Sequence, residues 1–228
     1  MAEKDIAFLS ATELGNAIRE KQISPVEAVE AYLERIERID PQVNSYITVT
    51  ADQARQEALE AEKEIRSGNY RGPLHGIPLG IKDQIYTAGV RTTDASKIRS
   101  DFVPKYDATV VTKLKDAGAI LLGKLNMAEF AHGEPQSSAF GAARNPWDLT
   151  RSPGVSSTGS GAATAARLCA TSLGEDTGGS TRGPAANFGL VGLRPTCGRF
   201  SRYGVDGVGR SSDTLGPLSR TVQDAPIT

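Results

Sequence analysis

The sequence predicts an α/β fold: a mixed sheet core flanked by helices. Three observations carry that expectation. Short apolar runs of strand length alternate with stretches of helical periodicity. All but two of the 24 glycines, Gly15 and Gly68, lie beyond residue 71, so a charged, helical first part (1–71) gives way to a Gly- and Ser-rich second part (72–228). And 228 residues suffice for one large domain, which hides roughly 70% of its unfolded surface. The two parts are read as one domain.

Ser10-Ala-Thr-Glu13 reads as a capping box opening a short helix over Leu14, Ala17 and Ile18. Ser24-Pro25-Val-Glu27 is a second, with Pro at the first helical position; Val26, Val29, Leu33 and Ile36 form its apolar stripe, and Pro41 is expected to follow its stop. Residues 45–50 (SYITVT) alternate like a strand or an extended connector. Residues 51–67 are rich in Ala, Glu, Gln and Lys, and Gly68 suits the position after a helix end. Further on, 78–82 (PLGIK) reads as a buried strand. Asp107 is expected to cap a helix over Val110, Val111, Leu114 and Ala117 that stops at Gly118. Residues 119–122 (AILL) and 190–193 (LVGL) read as short strands, and 159–170 (GSGAATAARLCA) as a tightly packed helix of small residues.

Charge and composition remove several functions. Lys plus Arg is 26 and Asp plus Glu is 27, a net charge of −1, which gives no electrostatic basis for direct nucleic-acid or membrane binding. Two cysteines, Cys169 and Cys197, cannot build a disulfide scaffold or a four-Cys zinc site, and two histidines, His75 and His132, make no His-rich metal centre. The residues from Met1 to Ile6 carry acids and no apolar run, unlike a secretory signal. No apolar stretch approaches the ~18 residues of a membrane span. A cytoplasmic, reducing setting with both cysteines free and buried is the expectation.

Three places can carry chemistry. Lys82 ends an apolar run; burial would lower its pKa toward that of a general base, unless it pairs with Asp83 or reaches solvent. In Ser152–Gly161, seven of ten residues are Gly or Ser, no charge occurs from Ser152 to Ala166, and a helix of small residues follows. Such a loop presents free N–H groups to an anion, although it lacks the lysine of a phosphate-binding loop. In Asp176-Thr177-Gly178-Gly179-Ser180, two glycines before a serine let backbone N–H groups converge beside its oxygen, as an oxyanion hole needs; a plain tight turn is the other reading. No G-x-S-x-G elbow occurs. A serine activated by lysine through a second serine needs no histidine, and Lys82, the pair Ser156 and Ser157, and Ser180 supply the parts.

Six ordered stretches carry a resemblance to a known family: GIPLGIKD (76–83), DATVVTKLKDAGAILLGKLNMAEFA (107–131), FGAARNPWD (140–148), SPGVSSTGSGAA (152–163), LGEDTGGSTRGPAA (173–186) and GLVGLRPTCGRFSRYG (189–204). From residue 72 onward the chain resembles the amidase signature family of amide hydrolases, and the 24-residue spacing from Ser156 to Ser180 fits the family pattern. The resemblance implies the amidase-signature fold. It implies that Ser180 is the acyl-forming nucleophile, that Ser156, in a cis-peptide setting, relays its proton, and that Lys82 is the base behind Ser156. The N–H groups of Thr177, Gly178, Gly179 and Ser180 would hold the oxyanion, with Ser157, Asp176 and Arg182 in support. The implied reaction is hydrolysis of a small-molecule carboxylic amide through an acyl-enzyme, releasing ammonia or an amine, with no metal or organic cofactor. Amide carbonyls are weak electrophiles, so the oxyanion hole must contribute several kcal/mol; removing one donor costs about 3–4 kcal/mol.

The chain departs from the family at Val155 and Thr158, where Gly is usual, at Thr181, where Ile is common, and at Glu175, where a small residue is usual. It also stops at Thr228, where members of the family continue to about double its length. The sheet is therefore expected to be truncated at its C-terminal side, with a homodimer contact or a partner chain covering the open edge. Without such a cover the chain is expected to self-associate and to have little activity. Two other functions compete. One is the glutaminase A subunit of a tRNA-dependent amidotransferase, which shares the triad; residues 133–138 (GEPQSS) depart from that protein's usual sequence and favour a stand-alone amidase. The other is a truncated, inactive homologue acting as a binding or structural chain.

Overall fold

The computed structural model describes residues 6–228. Residues 1–5, most of the acidic stretch that argues against a secretory signal, lie outside the described residues. Both capping boxes form. Ser10 accepts from the Glu13 amide and Glu13 from the Ser10 amide at the start of α1 (Ala11–Arg19); Ser24 and Glu27 do the same for α2 (Pro25–Val43). Strand β1 (Tyr46–Val49) leads into α3 (Ala51–Arg66), and Gly68 follows its end at φ +91°. Then come β2 (Pro78–Lys82), α4 (Thr109–Asp116), β3 (Ile120–Leu125), α5 (Thr158–Ala165), β4 (Thr171–Asp176), α6 (Arg182–Phe188), β5 (Val191–Gly192) and β6 (Thr214–Ser219).

The strands form one mixed sheet in the order β1-β3-β2-β4-β6-β5. β3, β2 and β4 run parallel, while β1, β6 and β5 pair antiparallel to their neighbours. Every residue of β2, β3, β4 and β6 is buried, as expected for strands covered on both faces. Leu14, Val29, Tyr32, Ala54 and Ala58 from the N-terminal helices join Leu79, Ile81, Leu122 and Leu173 in one core. No helix among the described residues is long and apolar enough to cross a membrane.

Several sequence expectations are corrected. Pro41 lies inside α2; the helix runs two residues further, to an Asn44 in the left-handed region, because the Asp40 carboxylate takes the Ser45 and Tyr46 amides just beyond its end. Asp107 does not cap α4. It stands one residue too early, and its carboxylate instead accepts from the Ala88 amide and the Lys115 ammonium, both at 2.7 Å. The small-residue helix ends at Ala165, and Thr171 already begins β4. Cys197 is exposed, on the long connection between β5 and β6; only Cys169 is buried. β4, α6 and β6 were not expected at all. β4 ends in two acids that read as a turn, and Pro217 argues against a strand, yet it pairs opposite Leu173 within β6.

Candidate active site

The site lies at the carboxyl ends of the central parallel strands, where an α/β sheet opens onto its connecting loops. Lys82 is the last residue of β2. It is fully buried, and its ammonium neither pairs with Asp83 nor reaches solvent. Nζ donates to Ser156 Oγ at 2.8 Å and lies 3.2 Å from Glu175 Oε2. Asp83 turns away and accepts from Thr93 and Ala95.

Ser156 follows a cis Val155–Ser156 peptide and is buried. Ser157, just before α5, fastens this loop to β4: its Oγ donates to the Glu175 carbonyl at 3.2 Å and accepts from the Glu175 amide at 3.4 Å. Its own amide donates to the Ser180 carbonyl at 3.2 Å, which sets the 177–181 turn beside the serine pair. The small residues of α5 allow this approach. A Cβ on Gly161 would meet the Phe188 ring of α6 at 2.2 Å.

Ser180 is half-buried in the turn between β4 and α6. Among the described residues its hydroxyl makes no protein hydrogen bond, and none joins it to Ser156 Oγ. The turn is shaped by Asp176, whose buried carboxylate accepts from the amides of Gly179 (2.7 Å), Thr181 and Arg182. Arg182 adds a two-pronged contact at 3.0 Å on each oxygen, and Arg194 reaches the same carboxylate at 3.1 Å. Burial works against the Asp176 anion, but these donors outweigh it and hold its pKa down to about 2. The Gly179 amide is thereby committed to Asp176. The amides of Thr177, Gly178 and Ser180 have no protein acceptor among the described residues.

Sequence reasoning gave no role to Glu175, Asp213 or Arg194. Glu175 is buried on β4, and the Thr177 hydroxyl lies 2.8 Å from its Oε1 and 2.7 Å from Asp213 Oδ1. The available signal was the pair of adjacent acids Glu175 and Asp176, which in an extended stretch fall on opposite faces. Burial lowers the Lys82 pKa, while Glu175, Asp176 and Asp94 pull the other way. A cleft of about 510 Å³, walled in part by Glu175, Arg202, Val208 and Asp213, opens beside this network; Lys82, Ser156 and Ser180 do not line it. No group of three or more metal-binding side chains occurs among the described residues.

Comparison with known proteins bears on the family and the fold. The family model described as Amidase matches residues 27–228. The A subunit of Glutamyl-tRNA(Gln) amidotransferase from Geobacter sp. (strain M21) is 51% identical over 98% of this chain and 46% of its own. The solved peptide amidase of Stenotrophomonas maltophilia superposes with a TM-score of 0.91 at 39% identity, over 98% of this chain and 46% of that one. The A subunit of Glutamyl-tRNA(Gln) amidotransferase from Thermotoga maritima gives a TM-score of 0.82 at 40% identity, over 100% and 47%. The chain spans about half the length of the curated relatives it matches.

Proposed function

The chain belongs to the amidase family, and from that premise we propose that it cleaves a carboxylic amide through a serine acyl-enzyme. The observation that carries this reading is the buried 2.8 Å contact between Lys82 Nζ and Ser156 Oγ, with the Ser180 turn held alongside by the Ser157 amide. Ser180 Oγ attacks the amide carbonyl and gives its proton to Ser156, whose own proton passes to a neutral Lys82. Burial favours that neutral form. The amides of Thr177, Gly178 and Ser180 are free to meet the oxyanion; Gly179 contributes by holding the turn through Asp176. The proton then returns from Lys82 through Ser156 to the leaving nitrogen, and water resolves the acyl-enzyme. The substrate proposed is a small-molecule amide, and a reducing, cytoplasmic setting fits the free Cys169 and Cys197.

Treatment with a fluorophosphonate followed by intact mass measurement tests the reading. One adduct on the wild-type chain and none on Ser180→Ala is expected. Equal labelling of both refutes Ser180 as the nucleophile, and labelling of neither refutes the reading and favours a binding or structural role.

A second reading is favoured by a specific observation: relatives about half identical over nearly the whole chain are named as the A subunit of Glutamyl-tRNA(Gln) amidotransferase. Their extent outweighs the departure at residues 133–138. In this reading the amide is glutamine, the product is ammonia, and partner subunits consume it. Turnover of glutamine rather than of peptide amides, rising when partner subunits are added, distinguishes it from a stand-alone amidase.

A further inference from the structure

We propose that Glu175 is a positioning residue that holds Lys82 as an ammonium ion in the resting site and so restrains the serine relay. The inference rests on the amidase reading above for its consequence, but on this chain's own geometry for its substance. Two charged side chains, 0% and 1% exposed, face each other at 3.2 Å. Both are fixed. Lys82 ends a central strand and is tied to Ser156; the single proton of the Thr177 hydroxyl is shared between Glu175 Oε1 at 2.8 Å and Asp213 Oδ1 at 2.7 Å, and Asp213 itself accepts from the amides of Val208 and Gly209. Burial and the contacts of both oxygens hold the carboxylate beside the amine.

The other ionisable groups around Lys82 do not compete for this role. On β4, Asp176 is already matched by Arg182 and Arg194. In the loop after β2, Asp94 is paired with Arg99, and Asp83 is turned toward Thr93 and Ala95. On β3, Lys124 donates to the Ile85 carbonyl and Thr92 Oγ1. From α5 and the loop before it, Ser156 and Ser157 offer only hydroxyls. Glu175 is thus the acid in direct contact with the Lys82 ammonium. An opposite charge at this range favours the charged form by about 1–3 pH units, opposing what burial does to the same amine.

The consequence is a site whose base is masked. Lys82 accepts a proton from Ser156 only after losing its own, and the adjacent anion makes that loss harder. Glu175 here occupies the position where a short polar side chain would leave the amine with Ser156 as its sole side-chain partner. The residue tunes the proton occupancy of Lys82 and does not touch the reacting atoms.

The test reads Lys82 directly and Ser180 separately. The chain is labelled with ¹³Cε-lysine, the Lys82 resonance is assigned by its loss in Lys82→Met, and its titration is followed in wild type, Glu175→Gln and Glu175→Asp. The midpoint is expected to fall by about 1–3 pH units in Glu175→Gln and to stay close to wild type in Glu175→Asp, which keeps the carboxylate. Fluorophosphonate labelling of Ser180 at pH 7 should then quicken at least about tenfold in Glu175→Gln, the factor carried by one pH unit. Glu175→Ser, smaller and still polar, gives the same downward shift and serves where Gln disturbs folding. An unchanged or raised Lys82 midpoint in both replacements overturns the proposal. If the midpoint falls while Ser180 stays unlabelled in every variant, Glu175 does control Lys82 and it is the amidase reading that fails.

Discussion

Replacing Gly159 with alanine tests how the serine loop is held in place. Gly159 sits in the first turn of α5, three residues beyond Ser156. A Cβ there would lie 2.4 Å from both the Asn126 nitrogen and the Ser45 carbonyl oxygen, and 2.6 Å from the Asn126 oxygen. All three are backbone atoms and cannot rotate away. Ordinary contact begins at 3.4 Å, so α5 and the end of β3 must separate by about 1 Å. Two backbone bonds lie in that seam, Gly159 N–H to Asn126 O and Asn126 N–H to Ser45 O, each 2.8 Å long. Overpacking costs about 1–3 kcal/mol, and each weakened bond adds about 0.5–1.5 kcal/mol. Alanine's better helix propensity returns about 1 kcal/mol, which leaves a net loss of about 1–5 kcal/mol. Because the shift carries Ser156 with it, Ser180 labelling should slow by up to about 100-fold, the usual penalty for a 1 Å misplacement. Urea unfolding of wild type, Gly159→Ala and Gly178→Ala measures the stability change. Gly178 is the matched control, since nothing lies within 4 Å of a Cβ built there. An unfolding midpoint for Gly159→Ala equal to that of Gly178→Ala would refute the argument.

Four further outcomes are expected. Ser180→Ala should abolish acyl-enzyme formation, whereas Ser156→Ala should retain a slow rate because nucleophile and oxyanion donors remain; full activity in Ser156→Ala would reassign the relay to Ser157 or Ser160. Labelling of Ser180 should rise from acid toward alkaline pH as Lys82 loses its proton, and Lys82→Arg should be inert because a guanidinium stays protonated; a flat profile from pH 5 to about 9 removes Lys82 as the titrating base. Asp176, with a pKa of about 2 in the fold against an ordinary 3.8, contributes stability that is complete above pH 4 and disappears as pH falls through about 2. Acid unfolding of Asp176→Asn should lack that component. Lys124 is pushed down to about 8 by burial, from an ordinary 10.5, so the unfolded chain holds the extra proton between those values and stability should rise with pH there. The difference between wild type and Lys124→Met in thermal melts across that range isolates it.

What the sequence determined by itself was local. Ser10–Glu13 and Ser24–Glu27 are contacts three residues apart, so both helix starts were legible without any tertiary partner. The apolar run at 78–82 specified β2 to the residue, and the glycine pair at 178–179 marked the turn before Ser180. Lys82 stood out because a lysine closing an apolar run is costly to bury charged, whereas the roles of Ser156 and Ser180 came from the resemblance to the amidase signature family.

Tertiary structure decided everything that depends on partners distant in sequence. The stretch 171–176 becomes a strand by pairing with β2 and β6, and its two buried acids are matched there by Lys82, 93 residues earlier, and by Arg182 and Arg194. Pro217 is tolerated because β6 has β4 on one side and only the two residues of β5 on the other. Asp107 left its capping role for Ala88 and Lys115, the former brought to it by the loop after β2. The charge of Lys82 belongs to this second class. Its burial follows from the strand it closes, but the acid beside it arrives from a separate strand, and the balance of desolvation against that ion pair exists only once β2 and β4 lie side by side.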